Sequence, residues 1–143
     1  MQRRIYLPLS AEELRRLGAQ GDLAPAPFTA YAVTDDLRRD HPASDEEELE
    51  YLAFTDADAA ASGEAGAAGE VRLLAAADVD ESAVTELLDA GRAVSAVRVS
   101  TAVPRRHVVS FHVAEPAQGA DGGLPAYAWY DATELDVVLD LLA

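Results

Sequence analysis

The stretch "HPASDEEELEYLAF", His41 to Phe54, sets carboxylates at Asp45, Glu46, Glu47, Glu48 and Glu50, the densest chemistry in the chain. Hard divalent cations choose oxygen ligands, so a Mg²⁺ or Ca²⁺ site on Glu46, Glu47 or Glu50 is one reading. Local helix physics explains the same residues without an ion. Ser44 and Glu47 have capping-box spacing, and carboxylates in a first turn face the positive end of the helix dipole. The cap is worth about 1 kcal/mol and each dipole contact about 0.3–1 kcal/mol. Leu49, Leu52, Ala53 and Ala57 supply the buried stripe of a helix expected from Asp45 to about Ala61, with Glu46 and Glu50 one turn apart on the wet side. No further ligands are specified, so we expect no metal.

The remaining candidates are sparser. "DADAAASGEAGA", Asp56 to Ala67, opens like a calcium loop but lacks the acid at position 5, the Gly at 6 and the Glu at 12. Asp78 and Asp80 stand where a strand enters a helix, and Asp80 is expected to cap that helix. His107 and His112 lie five apart on one expected strand, so they project to opposite faces and cannot share an ion. His107 falls with Val109, Phe111 and Val113 at the core edge. His112 falls with Arg106, Val108 and Ser110 on a mixed face that, with Arg98, forms a candidate anion pocket. Tyr127, Trp129 and Tyr130 are expected to close the core over the last helix. No G-x-S-x-G, P-loop, dinucleotide fingerprint or H-E-x-x-H is present, and the lack of Lys removes Walker-type phosphate binding and Schiff-base chemistry.

These residues need elements to hold them. "RRIYLPL" alternates as a half-buried strand, and Ser10 with Glu13 boxes a short helix ending at glycine. Residues 28–33 fit either strand or helix; Thr34 caps a turn that stops before Pro42. "SGEAGAAGE", Ser62 to Glu70, reads as a flexible glycine-rich loop. A strand follows with Val71, Leu73, Ala75, Ala77 and Val79 on one face, then a helix through Val84, Leu87 and Leu88 that ends at Gly91. Two further strands, about Val94–Thr101 and His107–Val113, should pair antiparallel as neighbours. Asp131 and Glu134 box a last helix with a stripe of Leu135, Val138, Leu139 and Leu142. The expectation is a single α+β domain over 1–143, two-layered, with an approximately four-stranded mixed sheet and helices packed on one face.

At 143 residues, half of them apolar, the chain is long enough to bury a core. Without Cys it has no disulfide, thiolate site or cysteine nucleophile. Its net charge of -15 is uneven: residues 1–42 balance six Arg with six acids, 43–91 set one Arg against fourteen, and 92–143 set four against six. Such a surface disfavours nucleic acid, whose affinity rests on Lys and Arg. No apolar run spans a bilayer, so a soluble cytoplasmic protein is expected.

"IYLPLS", "APFTAYAVT", "DEEELEYLAF", "LLAAADV" and "WYDATELDVVL" together resemble a family of short uncharacterised actinobacterial proteins, a domain of unknown function. The resemblance covers most of the chain and implies a GC-rich bacterial origin and a cytoplasmic setting, but no reaction, cofactor or catalytic residue. The functional expectation is thus a small acidic, non-enzymatic interaction or regulatory protein that binds a basic protein partner through Glu46, Glu47 and Glu50, with no cofactor. The alternative is a small enzyme or anionic-ligand domain, with Arg98, Arg106 and Ser110 lining a pocket and His112 as acid or base.

Overall fold

The computed structural model describes residues 1–23, 26–68, 72–88, 91–114 and 127–142, with the backbone alone for 62–68. The elements run β1 (Gln2–Leu9), α1 (Ala11–Gln20), β2 (Asp22–Leu23), β3 (Phe28–Tyr31), α2 (Asp35–Asp40), α3 (Glu46–Ala68), β4 (Leu73–Asp80) and β5 (Val84–Glu86). They continue with β6 (Ala96–Val99), β7 (Val103–Pro104), β8 (Val108–Ala114), β9 (Tyr127–Asp131) and α4 (Leu135–Leu141).

Period-two alternation in β1 sends Ile5, Leu7 and Leu9 to one core and Tyr6 to another, all four buried. A strand buried on both faces belongs in the middle of a sheet. β1 pairs antiparallel with β4 along its whole length, Gln2 opposite Asp80 and Leu9 opposite Leu73. The seven-stranded sheet has the order β5-β6-β3-β1-β4-β8-β9, and every pairing in it is antiparallel. β2 and β7 form a separate ribbon that adds Leu23 and Val103 to the core.

Local stop and start signals act as their chemistry requires. Ser10 Oγ accepts from the Glu13 N–H and Glu13 Oε1 from the Ser10 N–H, both at 3.1 Å. α1 ends on Gly21, whose φ of 85° lies in the left-handed region that favours glycine. Thr34 caps α2 at the Leu37 N–H, and Asp131 and Glu134 form the expected box, which opens on a 3-10 turn before α4.

The sheet corrects the expected architecture. It is antiparallel rather than mixed, has seven strands rather than four, and carries helices on both faces. Leu14 and Leu17 of α1 with Leu135 and Val138 of α4 pack on the Ile5 face; Leu37 of α2 with Leu49, Ala53 and Ala57 of α3 pack on the Tyr6 face. The cause is that β1 and β4 are apolar at successive positions, since Leu74 and Ala76 are as buried as Leu73 and Ala75. β6 and β8, expected as partners, lie apart with β3, β1 and β4 between them.

Two element assignments also change, and one left open is decided. α3 runs on to Ala68, so Ser62–Ala68, expected as loop, is helical; its alanines offset glycines that cost about 1 kcal/mol each. Residues 69–71, including Val71 and the end of that expected loop, lie outside the described residues. Asp80 does cap, but only a 3-10 turn at Glu81–Ala83, because β-branched Val84 and Thr85 extend to pair with Val99 and Arg98. The ambiguous 28–33 segment is strand over Phe28–Tyr31.

Candidate functional site

The cleft that holds Glu46 and Glu50 opens where β1 begins and α3 begins. It measures about 710 Å³ and is lined from β1 by Arg3 and Arg4, from α2 by Asp35 and Arg38, and from α3 by Glu46 and Glu50. Asp78 of β4, Glu81 and Glu86 of β5 complete its charged wall. Six carboxylates thus face three guanidinium groups.

Each arginine is already engaged. Arg4 and Asp78 sit directly opposite in the β1–β4 ladder, and that register produces a two-pronged pair, Nε to Oδ1 at 2.6 Å and Nη2 to Oδ2 at 3.2 Å. The Asp78 hydrogen bonds raise the Arg4 pKa above its ordinary value. Arg3 Nη2 donates to the Val33 carbonyl at 2.5 Å and to Glu86 Oε1 at 3.4 Å; the same oxygen accepts the Asp35 N–H at 2.9 Å. Arg38 clasps Glu46 with bonds of 2.7 and 3.0 Å, joining α2 to the first turn of α3. Among the described residues, Asp35, Glu50 and Glu81 remain outside any ion pair. Below Glu50, the Tyr6 hydroxyl is pushed up to about 12, first by burial and then by the Glu50 charge.

The helix start is capped one residue later than expected. Asp45 Oδ1 accepts the Glu48 N–H at 2.8 Å, with Glu48 Oε1 3.5 Å from the Asp45 N–H, in place of Ser44 and Glu47. Both pairs have the same spacing, so the pattern alone does not choose between them. Of the three expected partner-binding residues, Glu46 and Glu50 share the cleft. Glu47 instead lines a second cleft of about 460 Å³ with His41, Asp45, Glu48 and Tyr51, because one helical residue is a turn of about 100°.

The alternative pocket is not assembled. Arg98 in β6 lies four strand spacings from His112 in β8, about 19 Å at roughly 4.8 Å each. Arg106 is exposed in a 3-10 turn. Only Ser110 and His112 meet, Oγ to Nε2 at 2.9 Å, and α3 lies over them: Ser110 is buried, and the Phe54 ring stands edge-on to the imidazole at 5.1 Å. Burial pulls the His112 pKa down to about 4. Serine and imidazole are at hydrogen-bond distance, but the hydroxyl is packed away rather than presented to a substrate. A register shift between Ala76 and Ala77 moves Val108 to the Phe111 face, and His107 stands in the turn with Nδ1 3.0 Å from the Asp78 carbonyl.

Sequence reasoning missed Arg3, Arg4 and Glu86 as members of the cleft, and missed the buried ties of α3. Asp58, at position 3 of the failed calcium-loop pattern, accepts from Arg72 Nη1 at 3.1 Å and from the Tyr127 hydroxyl. Asp56, at position 1, accepts from Ser95 Oγ at 2.6 Å. A lone acid facing inward on an apolar helix stripe was the available signal. Tyr127 is raised well above its ordinary range by burial and by this bond. Among the described residues no group of three His, Asp or Glu is placed to hold a metal ion, and no helix is long and apolar enough to cross a membrane.

Fold and cleft define an α+β protein with a charged cleft at one end of an antiparallel sheet. Residues 3–139 match the family of unknown function DUF6912, and the chain belongs to it. No curated protein and no solved structure matches it.

Proposed function

We propose that this is a non-enzymatic binding module whose cleft takes cationic side chains from a basic segment of a partner protein. The observation that carries the reading is the imbalance of the wall: Arg3, Arg4 and Arg38 each take a carboxylate, and among the described residues Asp35, Glu50 and Glu81 have no close ion pair, with Glu50 and Asp35 acting on Arg4 and Arg38 only at longer range. A concave, partly enclosed site concentrates such a field, and a guanidinium or ammonium group is its complement. Glu50 is the central contact, Glu46 a rim contact that an incoming cation shares with Arg38, and Glu47 a flanking charge outside the cleft.

The test is titration of the protein with an arginine-rich peptide and with its citrulline analogue, which keeps shape and loses charge. The charged peptide should bind, and the neutral one should not. Glu50→Gln should weaken binding about two- to fivefold, the size of a partly exposed ion pair of about 0.5–1 kcal/mol. Association should vanish near 1 M salt, where the screening length is about 3 Å. Equal binding of the two peptides, or binding that survives that salt, would end the proposal.

A further inference from the structure

We draw no further inference here: the strongest candidate, the outer edge of β9 with its exposed Trp129, is an apolar surface with no partner among the described residues, and nothing in the structure shows what covers it.

Discussion

His112, packed beneath α3, and Asp58, on the inner side of α3, each make a prediction. The His112 pKa falls from 6.5 in the unfolded chain to about 4 in the fold, so the unfolded state binds its proton first as pH drops. Its contribution to stability is therefore full above pH 6.5 and is lost between about 6.5 and 4. Urea unfolding at pH 7 and pH 4.5 should show a smaller loss for His112→Gln, which keeps a partner for Ser110; identical losses would refute the assignment. Asp58→Ala leaves Arg72 and the Tyr127 hydroxyl without their acceptor in a mostly buried place and should cost about 3 kcal/mol. A loss under about 1 kcal/mol in the unfolding free energy from urea titration would show the tie to be dispensable.

At the scale of the element, the structure places the cap of α3 on Asp45 and not on Ser44. Asp45→Ala should lower stability by about 1 kcal/mol, while Ser44→Ala stays within about 0.5 kcal/mol. The reverse order in thermal melts would restore the Ser44 box. Gly21→Ala forces a side chain into the left-handed region and should cost about 1 kcal/mol even though a Cβ there meets nothing within 4 Å. Elements like these were legible because a cap or a stripe depends on residues three or four apart. Val84 and Thr85 were not legible in that way: Asp80 announced a helix, and only pairing with Val99 and Arg98 made the segment a strand. The α3 continuation through Ser62–Ala68 was misread for the opposite reason, since glycine spacing suggested a loop where a long helix carries the chain onward.

For the whole molecule, charge sets two responses to salt that should oppose each other. A net charge of -15 repels itself within a compact body, so sodium chloride at about 0.5 M should raise the unfolding midpoint by screening. The same salt should weaken the basic peptide. A midpoint that does not move would refute net self-repulsion as a destabilising force in this fold. The sequence by itself determined the acidic middle, the capped starts of α1 and α2 and the capping box before α4, one apolar face each of β1 and β4, and the carboxylates Glu46 and Glu50 on one side of α3, because each follows from neighbours within a turn or a pleat. Only the tertiary structure decided that Arg4 meets Asp78, that Arg98 stands far from His112, and that helices cover both faces. Those facts depend on which strands lie side by side, and strand order is settled by burial of both sheet faces across the whole chain, which no local spacing encodes.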